Sequence, residues 1–267
     1  MYLTRNFPSR FPKEHPFNRD GYRYVLAEAD SHAPYRQEFD ESTDLAGKPI
    51  PGFLCRVLTP EVVLLSMHDR ASQVNVSEDR LTVTGHKFYC TIRANHSVNR
   101  GTWYYEAKIL DLPEGAATRI GFAQKNANLQ APLGFDKFGY SVRSRKGTKF
   151  HESIGKHYSD GYKAGDILGC LIVLPEIKRK SYLPPSFKDK PLVKFKSHLY
   201  FEEKDRFQEN LKSLQTLPGG KIYFFKNGVP LGEAFTDIYQ VNIEFSGKKN
   251  IVKMKGGVHD FLKLFLG

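Results

Sequence analysis

The sequence predicts an all-β protein, a sandwich or barrel of short antiparallel strands. Three observations predict it. Aromatic residues reach 13%, with 20 Phe and 14 Tyr, and such side chains fit a pleated, half-buried surface. Apolar residues recur at every second position in several short segments. Turn signals follow those segments closely, and long amphipathic helical stretches are absent.

Residues 1–52 read as an extended arm. Pro8, Pro12 and Pro16 block a helix and alternate with Phe7, Phe11 and Phe17. Tyr22, Tyr24, Val25 and Leu26 are too apolar for an idle linker, so the arm is expected to wrap partly along the main domain. The cluster Gly47-Lys48-Pro49-Ile50-Pro51-Gly52 is a rigid turn into a domain spanning 53–246. Residues 62–65 form a short buried run, and 81–83 alternate. In 102–109, Trp103, Tyr105, Ala107 and Ile109 share one face while Glu106 and Lys108 take the other. Residues 166–174 are apolar on both faces, as a central strand requires. Residues 221–226 run into Asn227-Gly228, the strongest short hairpin signal.

One stretch breaks this rhythm. Residues 175–220 separate two clear strands by far more than the usual hairpin loop of about 2–5 residues. The insert is Lys-rich and closes on Pro218-Gly219-Gly220. Its aromatic segment 195–201 points to an ordered, functional insert. Residues 201–214 are expected to form a short helix with Phe207, Leu211 and Leu214 on one side.

The net charge is +11 and the pI about 9.4, which favours acidic partners: nucleic acid, anionic membrane or acidic protein. No apolar run approaches the ~20 residues of a membrane span, so no membrane partner is expected. Cys55, Cys90 and Cys170 are odd in number and far apart, which suits buried reduced thiols in an intracellular protein better than a disulfide framework or a zinc site. Phosphate-cradling glycine loops, His-Glu-x-x-His and Gly-x-Ser-x-Gly are all missing. No catalytic residue, metal or cofactor is therefore expected, and the chain does not read as an enzyme.

The informative constellation is basic. Arg143, Arg145, Lys146, Lys149, Lys156 and Lys163 face only Glu152 and Asp160 across 141–163. Arg143 and Arg145, two apart, would share a face of an extended strand. Two adjacent guanidinium forks match carboxylates or phosphates bidentately; a solvated strand face is the plainer alternative. A second basic group lies in the insert at Lys178, Arg179, Lys180, Lys188 and Lys190, with Lys194, Lys196, Lys248 and Lys249 adding to it. It offers a phosphate-tracking surface for nucleic acid, nucleosomal DNA included.

Three stretches in order, Gly101-Thr102-Trp103-Tyr104-Tyr105-Glu106, Gly165-Asp166-Ile167-Leu168-Gly169-Cys170 and 222–235, resemble the SPRY domain family. That resemblance implies a bent β-sandwich of two antiparallel sheets, here with a long ordered insert and an extended N-terminal arm. The runs 128–138, Lys146-Gly147-Thr148-Lys149-Phe150-His151, Ser153-Ile154-Gly155-Lys156-His157-Tyr158 and 195–205 are similar to the Ash-two-like trithorax-group family within it. The similarity extends from about residue 18 to about 240. It implies a non-catalytic nuclear adaptor in complexes that methylate lysine 4 of histone H3. Such an adaptor binds an acidic segment of the retinoblastoma-binding WD-repeat subunit and helps to activate the SET (MLL-type) methyltransferase. Carried over by position, the family's peptide pocket falls on Tyr89, Arg119, Pro132, Arg143 and Arg145. Arg145 stands where the family can have Lys.

Beyond Tyr239 the resemblance stops, and 247–267 read as a divergent basic tail. Residues 241–246, with Val241, Ile243 and Phe245 alternating, are expected to pair with the sheet. The tail is expected to stay loose, because Lys248, Lys249, Lys253 and Lys255 interrupt any core face; a short helix over 258–266 is the one element it offers. The family's motif for the small Dpy-thirty dimer is not matched there, so that partner is not expected. The zinc-finger and winged-helix region often found upstream in the family has no counterpart in this sequence, so DNA contact through it is not implied.

Overall fold

The computed structural model describes residues 22–35, 51–58, 62–86, 88–175, 187, 190–204, 206–240, 251–254 and 264–266. In chain order the strands are β1 (Tyr22–Ala29), β2 (Cys55–Val57), β3 (Leu65–Arg70), β4 (Asn75–Val76), β5 (Thr82–Thr84), β6 (Ile92–Ala94) and β7 (Gly101–Ile109). Next come β8 (Arg119–Gln124), β9 (Gly139–Arg143), β10 (Thr148–His151), β11 (Ile154–His157), β12 (Ile167–Leu174), β13 (Leu192–Phe195) and β14 (His198–Lys204). A short α-helix, α1 (Phe207–Lys212), precedes β15 (Gln215–Thr216), β16 (Lys221–Lys226), β17 (Val229–Thr236), β18 (Tyr239–Gln240), β19 (Ile251–Met254) and β20 (Leu264–Leu266). No helix among the described residues is long and apolar enough to cross a membrane.

The chain divides into two compact units, residues 1–59 with 183–206, and residues 60–182 with 207–267. The larger unit is a sandwich. Its two larger sheets run β17-β16-β12-β7-β19-β5-β4 and β11-β10-β9-β8-β20, while β3 pairs with β6 and β15 with β18. Alternation explains why they stack. Ala107 and Ile109 of β7, Leu168, Cys170 and Ile172 of β12, and Ile222 and Phe224 of β16 all turn into one core. There they meet Ile120 and Phe122 of β8 and Tyr140 and Val142 of β9. Strand β12 lies between β7 and β16, the central place its two-sided apolar sequence requires. The hairpin β16–β17 turns at Asn227 (φ 52°) and Gly228 (φ 81°). Both residues are left-handed, as the tight turn that matches strand twist demands.

Two local expectations shift. The apolar run 62–65 enters its strand only at Leu65, because the preceding residues bond to Asn95: its Oδ1 accepts from Leu64 N–H and its Nδ2 donates to Val62 O. The helix expected over 201–214 is confined to Phe207–Lys212, since β14 continues to Lys204. Its apolar side stands as expected, with Phe207, Leu211 and Leu214 on Ala123, Ala127, Leu133 and Phe138.

The tail departs further. β19 pairs parallel with both β7 and β5, and β20 pairs parallel with β8. Residues 251–254 and 264–266 are thus hydrogen-bonded strands, and the latter are not helical. A ladder is built from main-chain groups, so lysines in the segment do not forbid it. A strand arriving from a distant part of the chain is also not bound to the antiparallel sense that a hairpin imposes. Residues 241–246 lie outside the described residues.

The smaller unit is a four-stranded antiparallel sheet ordered β13-β14-β1-β2. The arm's β1 pairs on one side with the insert, Tyr22 opposite Lys204 through Ala27 opposite Leu199. On its other side Ala27 to Ala29 face Val57 to Cys55. Val25, Ala27, Cys55, Val57, Leu192, Leu199, Phe201 and Phe187 form its own apolar cluster.

Candidate peptide-binding site

The site is assembled by the register of two strands. β8 and β9 are antiparallel with Arg119 opposite Arg143, Gly121 opposite Ser141. Residues directly opposite in a sheet project to the same face, so these two arginines stand side by side, on the side away from the core that Ile120 and Val142 fill. β10 adds Phe150 opposite Ser141 on that same face. The Arg119 guanidinium carbon lies 3.6 Å from the Phe150 ring centroid and that of Arg143 5.1 Å. A cation over an aromatic face is held by the ring quadrupole.

The loop between β8 and β9 borders the pair. Leu133 O accepts from Arg119 Nη1 at 3.1 Å and from Ser141 Oγ at 2.7 Å. Gly134 adopts φ +86°, and a Cβ there would lie 2.5 Å from Phe150 O, so only glycine lets this loop rest on β10. The same loop holds the Tyr89 segment. Thr91 N–H donates to Leu129 O at 3.0 Å and Thr91 Oγ1 donates to Ala131 O at 2.9 Å. Tyr89, half exposed, lies two residues before this anchor and within electrostatic reach of Arg119. Burial, reinforced by the like charge of Arg143 and opposed by Tyr89 and Tyr162, lowers the Arg119 guanidinium to about 10. It remains charged at neutral pH.

Arg145 is placed differently from Arg143. β9 ends at Arg143, and the chain then turns through Lys146 and Gly147, with φ 58° and 52°. Arg145 is exposed, bridges to Gly161, and its carbonyl accepts from Arg143 Nε at 3.3 Å. The adjacent forks are therefore Arg119 and Arg143, 24 positions apart in sequence yet paired in register. Phe150, absent from the sequence-derived set, is the residue this geometry adds. Its only trace in the sequence is an aromatic in the middle of the basic stretch.

Of the second basic group, Lys178, Arg179, Lys180 and Lys188 lie outside the described residues. Lys190 is ion-paired with Glu203 at 3.7 Å. Lys194, in β13, and Lys196, in the turn into β14, are both exposed. The three cysteines are buried, and burial pushes the Cys170 thiol far above its ordinary range, which makes it inert as a nucleophile.

The sandwich contains a SPRY domain: the SPRY family model matches residues 102–176, from β7 through β12. The Drosophila melanogaster protein described as Set1/Ash2 histone methyltransferase complex subunit ASH2 is 65% identical over 232 residues, covering 87% of this chain and 42% of its own. The Caenorhabditis elegans Set1/Ash2 histone methyltransferase complex subunit ash-2 is 39% identical over 89% of this chain and 43% of its own. The Set1 complex component ash2 of Schizosaccharomyces pombe is 30% identical over 91% and 37% respectively. The chain carries a SPRY domain and over most of its length is similar to these Ash2 proteins. It spans about two fifths of the length of the curated relatives it matches.

Proposed function

We propose that this chain serves as a non-catalytic adaptor subunit of a nuclear histone H3 lysine-4 methyltransferase complex. Its site, lined by Tyr89, Arg119, Pro132, Arg143 and Arg145, grips an acidic segment of the WD-repeat subunit, and the pair helps to activate the SET methyltransferase. The observation that carries this reading is the register that sets Arg119 beside Arg143 on one phenyl ring. Guanidinium forks so placed can each take a carboxylate bidentately, while half-exposed Tyr89 and the Pro132 loop supply apolar contact. The names of the fly, worm and fission-yeast relatives, each a subunit or component of a Set1-type complex, support the setting.

Each charged contact contributes on the order of 1–3 kcal/mol. Arg143→Ala should therefore weaken binding of the WD-subunit acidic peptide, measured by calorimetry, by about tenfold or more. Unchanged affinity in a folded Arg143→Ala protein would remove the site from consideration.

A further inference from the structure

Two like charges standing opposite each other on neighbouring strands repel, so something must hold Arg119 and Arg143 together before any anion arrives. Leu133 O and Arg145 O each take one hydrogen bond from the pair. What the two guanidiniums share is the ring of Phe150, at 3.6 and 5.1 Å. The ring is itself fixed from two directions. Gly134 presses on its backbone from the loop, and Gly155, its cross-strand partner on β11, leaves the space that the ring occupies. A Cβ on Gly155 would lie 2.7 Å from Phe150 Cε1 and 3.1 Å from its Cζ.

We infer that Phe150 is a positioning residue of the anion site: its ring is the platform that sets Arg119 and Arg143 as one preorganised pair, and Gly155 is the gap that lets it lie beneath them. The inference rests on the acidic-peptide reading above, and it makes the site's affinity depend on residues that carry no charge. A pair already oriented loses little side-chain freedom on binding, which is where preorganisation gains affinity.

The test compares Phe150→Leu, Phe150→Tyr and Gly155→Ala with Arg119→Ala and Arg143→Ala in the full chain, by fluorescence anisotropy with the same acidic peptide. Phe150→Leu should weaken binding about fivefold, the scale of a partly exposed cation–π contact. Phe150→Tyr, which keeps the ring face, should restore most of it. Gly155→Ala should weaken binding with every charge in place. In the free protein, the Arg119 and Arg143 Nε–H resonances should carry a ring-current shift that Phe150→Leu abolishes and a merely structural role would not predict. If the arginine variants lose affinity while Phe150→Leu binds as the parent does and the resonances stay put, the platform is wrong and the peptide site stands. If the arginine variants also bind as the parent does, the site itself is wrong and the platform falls with it.

Discussion

Burial holds the His151 imidazole below its ordinary range, against the pull of the Gly139 carbonyl and of the Glu152 and Asp136 charges, with Lys137 adding to the depression. The ring stacks on Tyr140 at 4.0 Å and 8°, its Nδ1 meets Gly139 O at 2.9 Å, and Phe235 and Tyr239 close around it. Its Nε2 lies 3.4 Å from Glu152 Oε1. Because its folded-state pKa is depressed, the unfolded chain binds the proton more readily. The contribution of this site is complete above the unfolded value of about 6.5 and drains as pH falls through it. The melting temperature should therefore drop between about pH 7.5 and pH 5.5. His151→Gln should show a shallower drop in the same scan, and equal slopes would place the titrating group elsewhere. At this scale the sequence carried the site unevenly. The basic stretch around Arg143 and Arg145 is plain in it, because spacing alone reveals a cluster. The neighbour that matters for Arg143 is Arg119, and that pairing depends on strand register across a long loop, which no local pattern encodes.

Elements were most legible where their own residues decide the backbone. The Asn227-Gly228 hairpin is one. Asn227 also accepts from Ile167 N–H at 2.8 Å through Oδ1 and donates to Asp166 Oδ1 at 2.8 Å through Nδ2, tying the turn to the start of β12. Asn227→Ala would lose both bonds and the tolerance for positive φ, and should cost about 1–2 kcal/mol in urea unfolding. A midpoint identical to the parent's would show that water replaces both bonds without loss. Where partners far along the chain decide, local reading falls short. β14 extends past the expected helix start because β1 and β13 pair along its two sides, a tertiary override of propensity. β19 and β20 were invisible for the same reason, since their places are openings in ladders built by β7, β5 and β8.

For the molecule as a whole, the excess of +11 acts at a distance on any acidic partner. Raising salt from about 50 to about 300 mM shortens the Debye length from roughly 14 Å to below 6 Å. Stopped-flow association with the acidic peptide should slow by about tenfold or more over that range, while dissociation changes little. A salt-independent association rate would mean that the distributed charge plays no part in the encounter.

The place of β1 between β2 and β14 also bears on how the protein is made. β1 leaves the ribosome before β2 and meets it after a short stretch of chain. Its second neighbour, β14, is translated only after the greater part of the sandwich. Through that interval one side of the strand's main chain has no ladder partner, which is the exposure that invites wrong pairing. Closing so long a loop is also entropically costly and slow. Chaperone dependence in the nascent chain should accordingly centre on 22–29, a segment far in sequence from both arginines of the site.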